Sequence, residues 1–131
     1  MNLKKLYALL TVESFAGLKD FYCGHFGFSV TMEAPGYLHF TGTTGGELAF
    51  MTQDTCAPAV FGGQGLTVCL EVADVDAEVA RLAKEKVPVV VPLRDNPWGD
   101  RSVILRDPLG IHVYVYQSKQ AAKQAATQAA M

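Results

Sequence analysis

The side chains best equipped for chemistry in this chain are the carboxylate of Glu47, the imidazole of His112 and the phenols of Tyr7, Tyr114 and Tyr116. A carboxylate held inside with few partners is raised in pKa and can take a proton from a carbon acid; at a strand start that reaches water it does nothing of the kind. An imidazole can serve as base or donor, although most such histidines are simply hydrogen-bonded at a cavity rim. Trp98 offers a plate for a planar ligand and Arg101 a guanidinium for a carboxylate or phosphate. The same two residues could instead pack a turn and pair with Asp95, Asp100 or Asp107. His25, His39 and His112 have no H-x-H or H-x-x-x-H spacing and give no metal signature. His39 sits mid-strand beside Tyr37, equally placed for a cavity mouth or the surface.

Strands must position these groups. In IHVYVY, residues 111–116, Ile111, Val113 and Val115 share one face and His112, Tyr114 and Tyr116 the other. The alternation recurs at Leu6–Val12 and Leu66–Val72. After Leu6–Val12, Ser14 offers an N-cap, and Leu18, Phe21, Tyr22 and His25 follow at helical spacing. Strands are expected at Phe28–Met32, Tyr37–Phe40 and Glu47–Thr52. About 60 residues on, the order repeats. Asp74 is an N-cap, Val75, Val79, Leu82 and Lys86 share a helical face, and Pro88 closes the helix. Strands then follow at Val89–Val91, Arg101–Arg106 and Ile111–Gln117. The expected architecture is one α+β domain over 1–131: unit 1 (5–53), a Pro/Gly-rich linker (54–65), unit 2 (66–117) and an Ala/Gln-rich tail (118–131).

In each unit a curved sheet packs its helix on one face. The purely apolar sets, such as Leu6, Ala8, Leu10 and Val12, belong under the helix. The opposite face, with Tyr7, Glu47, Met51, Thr67, Tyr114 and Tyr116, is mixed, as ligand cavities are. Phe61, on the linker, could act as a lid.

A net charge of −2 with 18% charged residues excludes a broad nucleic-acid-binding field. No apolar run approaches the roughly 20 residues that span a bilayer, and the lysine-led N-terminus lacks a cleavage site, so a cytoplasmic protein is expected. The three cysteines, Cys23, Cys56 and Cys69, read as free thiols in a reducing compartment. GTTGG and FGGQG lack the Lys-Ser/Thr of a phosphate loop.

The stretches LLTVESFAGLKDFYCGHFGF, EVADVDAEVARL and above all PWGDRSVILRDPLG resemble the vicinal oxygen chelate superfamily: glyoxalase I, bleomycin-resistance proteins, fosfomycin-resistance enzymes and extradiol dioxygenases. The resemblance covers roughly residues 5–117. It implies paired βαβββ units whose concave sheets enclose a site, and dimerisation. Its metal enzymes take His, Glu or Gln ligands from the first strand of each unit, five residues before a Val, and from the last strand, four after a turn Gly. Here those positions are Tyr7, Thr67 and Tyr114, with the fourth on Glu47 or Ala49 because GTTGG leaves the register open. One carboxylate does not hold a divalent ion. An off-register site built from His112, Glu47 and either Cys69 or Glu71 is the remaining way to bind one.

The expected function is therefore metal-independent binding of a largely apolar or aromatic small molecule, with no cofactor, in a homodimer that touches neither nucleic acid nor membrane. Ligand contacts are expected from Tyr7, Met51, Phe61, Thr67, Trp98, Arg101, Tyr114 and Tyr116. The alternative is a lyase, isomerase or dioxygenase acting through Glu47 or His112, with or without a divalent metal.

Overall fold

A computed structural model describes residues 1–52, 60–62 and 64–118. Most of the expected linker and nearly all of the expected tail lie outside them. The chain divides into two compact units, Met1–Gln64 and Gly65–Met131. Each contains a four-stranded mixed sheet, and the order of elements is βαβββ in both.

In the first unit β1 (Ala8–Val12), β2 (Ser29–Ala34), β3 (Tyr37–Thr41) and β4 (Glu47–Thr52) form a sheet in the order β1-β4-β3-β2. β1 runs parallel to β4 from Ala8 opposite Leu48 to Val12 opposite Thr52. The strand starts two residues later than its alternation predicts. Ala8 lies opposite Leu48 and β4 begins only at Glu47, so Leu6 has no strand residue to pair with and is 84% exposed rather than under a helix. The expected helix contracts to a short, wide-turned one at Asp20–His25. Ser14 does not cap it: its Oγ accepts the Ala16 N–H at 3.3 Å, closing a local turn instead. The helical spacing still places Leu18, Phe21 and Tyr22 in the core. Tyr22 packs its ring against Phe40 and Phe50, with centroids 5.5 and 6.0 Å away. This aromatic cluster fixes β3 and β4 from one side, so their other side can carry polar groups in a set register.

In the second unit β5 (Thr67–Glu71), β6 (Val89–Asp95), β7 (Asp100–Arg106) and β8 (His112–Ser118) follow the order β5-β8-β7-β6. The helix α1 (Val75–Lys84) is capped as its sequence predicts, Asp74 Oδ1 accepting the Ala77 N–H at 3.1 Å. Val75 and Leu82 are buried with Val103, Leu105, Val113 and Val115 of β7 and β8. β6 runs four residues beyond the expected Val91. It does so irregularly, with register shifts around Pro92, which has no N–H to give the ladder.

The two units close their last hairpins alike. In the first, Gly42 donates to Gly46 O at 2.7 Å and Gly45 to Gly42 O at 3.1 Å. In the second, Asp107 donates to Ile111 O at 2.9 Å and Gly110 to Asp107 O at 3.0 Å. Gly45 and Gly110 both take positive φ, +100° and +85°, which a residue with a Cβ adopts only under strain.

Candidate functional site

That shared turn settles the open register. Gly45 corresponds to Gly110, so Glu47 corresponds to His112 and Ala49 to Tyr114. The strand pairing agrees: Thr41 lies opposite Glu47 as Arg106 lies opposite His112, and Ala49 is opposite His39 as Tyr114 is opposite Ile104. The fourth family position is therefore Ala49, a buried methyl.

The first unit holds a cavity of about 600 Å³, within the range of small-molecule pockets. Tyr7, Met32, Tyr37, His39, Glu47 and Lys5 are among its lining residues. Its polar side is one connected relay. The Lys5 ammonium donates to Glu47 Oε1 at 3.2 Å. His39 Nε2 lies 2.7 Å from the same oxygen, and His39 Nδ1 lies 2.9 Å from the Tyr37 hydroxyl. The Tyr7 ring tilts over the imidazole with centroids 4.6 Å apart. Packing explains the geometry. Tyr37, His39, Glu47 and Ala49 share the face away from the aromatic cluster, and the Ala49 methyl opposite His39 leaves the imidazole room to reach diagonally to Glu47.

The electrostatics follow. Partial burial works against ionising Glu47, but the hydrogen bonds from His39 and Lys5 outweigh it and hold the carboxyl below its usual range. The condition under which Glu47 would be a strong base, few partners and a raised pKa, is not met. Burial, then a hydrogen bond with Tyr7 and the nearby Glu47 charge, raises the Tyr37 phenol, which stays protonated.

Because the folded chain gives up the Glu47 proton more readily than the unfolded chain, its contribution to stability is present above about pH 4.5, the ordinary value for Glu, and is lost as pH falls through the lower folded value. The thermal midpoint of the native protein is expected to drop below that pH more steeply than that of Glu47→Gln. Parallel profiles would show that the carboxylate is not held as described.

In the second unit the hydroxyl of Tyr114 is committed. It donates to Asp100 Oδ2 at 2.7 Å and accepts from Asn96 Nδ2 at 3.2 Å and Trp98 Nε1 at 3.3 Å. Asn96 also donates to Ser102 Oγ at 2.7 Å. Trp98 remains 58% exposed beside this network. Arg101 is paired: its Nη2 and Nε reach the two Asp76 oxygens at 3.0 Å each, and Nη1 reaches Asp95 at 3.2 Å. Of its expected partners Asp95 holds it, and Asp76 joins from outside that set. Thr67 lies opposite His112, and Tyr116 lies opposite Glu71. Burial, then the Glu71 charge, raises the Tyr116 phenol.

Of the expected site residues, Tyr7 and Glu47 line one cavity, and Met51 continues β4 opposite Tyr37. Phe61 is tied by its backbone N–H to Thr11 O at 2.7 Å. Trp98 and Tyr114 meet through a hydrogen bond. His39, set aside as mouth or surface, is 5% exposed and is the centre of the relay. Tyr37 and Lys5 were missed outright; the alternation of β3, read back from the GTTGG turn, would have put Tyr37 and His39 beside Ala49 and Glu47.

The four family positions are thus a phenol at Tyr7, a methyl at Ala49, a hydroxyl at Thr67 and a phenol at Tyr114 whose proton is already given to Asp100. Such donors do not fit a divalent ion, which needs imidazoles, carboxylates or thiolates. Among the described residues no three His, Cys, Asp or Glu side chains gather as a metal would require, and no helix is long and apolar enough to cross a membrane.

Duplicated βαβββ units with this turn and this mixed inner face define a class. The chain belongs to the Glyoxalase/Bleomycin resistance protein/Dioxygenase superfamily, whose family model matches residues 6–115. Among solved structures it is similar to TnmS3, an antibiotic binding protein from Streptomyces sp. CB03234: 27% identity, TM-score 0.69, covering 90% of this chain and 98% of that one. TioX from Micromonospora sp. ML1 shares the fold at 22% identity and TM-score 0.71, covering 86% and 97%. A lactoylglutathione lyase from Agrobacterium tumefaciens does so at 24% and 0.70, covering 88% and 94%. An uncharacterised protein of Mycobacterium tuberculosis (strain ATCC 25618 / H37Rv) is 38% identical over 74 residues, 56% of this chain and 44% of that relative. The chain thus matches under half the length of that curated relative.

Proposed function

We propose that this chain is a metal-independent small-molecule-binding protein of the glyoxalase/bleomycin-resistance type, taking a largely apolar or aromatic ligand. The observation that carries the reading is the donor set at the family's metal positions: Tyr7, Ala49, Thr67 and Tyr114. Their phenols, hydroxyl and methyl suit the wall of a binding site better than a coordination shell. The likeness to an antibiotic binding protein at 27% identity points the same way. Sequestration is a sufficient mechanism, since a tightly bound drug is removed from solution without a bond being broken. In the first unit Tyr7 and Met51 supply aromatic and apolar contact; in the second Trp98, Tyr114 and Tyr116 do so, and Thr67 and His112 offer hydrogen bonds. A cytoplasmic homodimer completes the reading, and sedimentation of the purified protein tests its pairing.

The rival is an enzyme acting through Glu47 or His112. It is weakened because Glu47 spends its basicity on His39 and Lys5. Two titrations separate them. Ni²⁺, Mn²⁺ or Zn²⁺ is expected to raise the thermal midpoint by less than about 1 °C, because an ion that binds the native state stabilises it by mass action. A rise of several degrees, abolished by Glu47→Ala, would overturn the reading in favour of the enzyme. Planar antibiotics are expected to quench Trp98 fluorescence saturably; a panel without a single binder sinks the binding function.

A further inference from the structure

The polar atoms of the first-unit cavity divide into those already matched and those still open, and the open ones say what a ligand must bring. The Tyr37 hydroxyl is held between His39 Nδ1, 2.9 Å away, and the Tyr7 side chain. His39 is engaged at its other ring nitrogen too, with Nε2 lying 2.7 Å from Glu47 Oε1. The Thr31 hydroxyl donates to His39 O at 3.4 Å and lies 3.1 Å from Thr41 Oγ1. Each of these groups is matched within the protein, wherever the His39 protons sit. Glu47 is matched at one oxygen only. Oε1 takes both the Lys5 ammonium, at 3.2 Å, and His39, and among the described residues no hydrogen bond reaches Oε2. The Glu47 side chain is 13% exposed and lines the cavity. Lys5 has three N–H donors and gives one to Glu47. Its Nζ stands 5.8 Å from the Tyr7 ring centroid, beside the same cavity.

A carboxylate oxygen and ammonium hydrogens are thus open next to each other, with the Tyr7 ring, Met32 and Ala34 as apolar wall. The two charges cancel as a pair. A ligand carboxylate would gain Lys5 but face Glu47, and a ligand amine would gain Glu47 but face Lys5. A neutral group that holds a donor and an acceptor side by side meets both with no like charge opposed. Each of its hydrogen bonds is to an ionised partner and is stronger for it. We infer that the first-unit cavity takes a neutral aromatic molecule with an adjacent donor and acceptor, as in a carboxamide or lactam, the donor bonding Glu47 Oε2 and the acceptor Lys5 Nζ. The inference rests on the binding reading above and adds to it the chemical class of the ligand's anchoring group. It makes Glu47 and Lys5 the specificity-determining residues of the cavity.

The test uses three probes of nearly equal shape, titrated calorimetrically at neutral pH into the full chain. 2-Naphthamide carries donor and acceptor, 2-acetylnaphthalene the acceptor alone, and 2-naphthoate the acceptor with a negative charge. The native protein is expected to bind the amide roughly tenfold more tightly than the ketone, the worth of one hydrogen bond to a charged acceptor. The naphthoate should bind no more tightly than the ketone. Glu47→Leu should bring the amide-to-ketone ratio close to one while leaving affinity for the ketone unchanged within about twofold, since only the acceptor for the ligand's donor is lost. Glu47→Gln keeps an oxygen without its charge and should leave a ratio of about three, so it carries the test if the leucine variant does not fold. Lys5→Met should weaken amide and ketone alike, by roughly threefold, and leave their ratio intact. A native ratio near one with both probes bound, a ratio that survives both Glu47 variants, or the naphthoate binding tightest overturns the inference and leaves the binding function standing. If none of the naphthalenes binds while planar antibiotics still quench Trp98, the ligand sits elsewhere and the inference fails. If nothing binds at all, both fail together.

Discussion

Phe50→Ala is expected to cost about 3–5 kcal/mol of folding stability, the usual toll for emptying a buried aromatic site. Phe50 is 0% exposed and lies in the middle of β4, paired with Leu10 on one side and Leu38 on the other. Its ring meets those of Tyr22 and Phe40 at 6.0 Å each. No neighbour can collapse into the gap without moving β3 or β4. The next residue back, Ala49, faces the other way against His39, so the same loss should loosen the relay. Urea denaturation followed by circular dichroism measures the first effect. Phe50→Leu, which keeps most of the volume, should cost roughly half as much. An alanine variant as stable as the native chain would mean that these rings are not the keystone of the first unit.

Asp107→Ala should be the most damaging polar substitution, costing about 2–4 kcal/mol, because it strips the acceptor from two backbone donors at once. Asp107 is 3% exposed, and its Oδ1 accepts the N–H groups of Leu109 and Ile111 at 2.8 Å each. Those bonds lock the turn that delivers β8, and with it His112 and Tyr114, in register against β5 and β7. Asp107→Asn retains an accepting oxygen and is expected to lose only about 1 kcal/mol. Chemical denaturation of the two variants side by side decides the matter: equal losses would show that charge or packing, and not the accepting oxygen, holds the turn. The first unit does without this anchor. Its corresponding residue is Gly42, where an added Cβ would press on Phe28 at 3.3 Å.

The contrast between those turns shows why some of the molecule was legible in its sequence and some was not. Two-residue alternation located the strands because each has one face that must leave water, and Asp74 announced its helix because an orphan N–H needs an oxygen. Where strands end depends on partners far along the chain. Leu6 continues the alternation of β1 perfectly and is still exposed, since nothing pairs there. β6 outruns its apolar residues for the converse reason: β7 is long enough to hold it to Asp95, opposite Arg101. The first helix kept its buried residues and lost its regular turns, a change of shape that spacing cannot report.

The site shows the same division. Glu47 drew attention as an acidic residue on a mixed face, but its chemistry is decided by His39 and Lys5, which reach it from another strand and from the segment before β1. His39 was legible in principle. Counting outward from Gly45 as from Gly110 sets it opposite Ala49, and the ambiguity lay in not yet knowing that the two turns were equivalent. The partnership of Arg101 with Asp76 was not legible, because it spans 25 residues and rests on where α1 begins relative to β7.

Ala49 has a bearing on what the first unit can be changed into as well as on its packing. Because a lone methyl is what lets the imidazole lean across to Glu47, position 49 has little freedom to drift: most replacements would crowd His39 and sever the relay. A lineage that placed an ion-holding carboxylate there would set it against the ionised Glu47 and would have to re-employ His39 in the same stroke. Installing an ion-holding side chain at position 49 would therefore call for changes at His39 or Glu47 as well, and the residue that looks least specialised is the one that couples them.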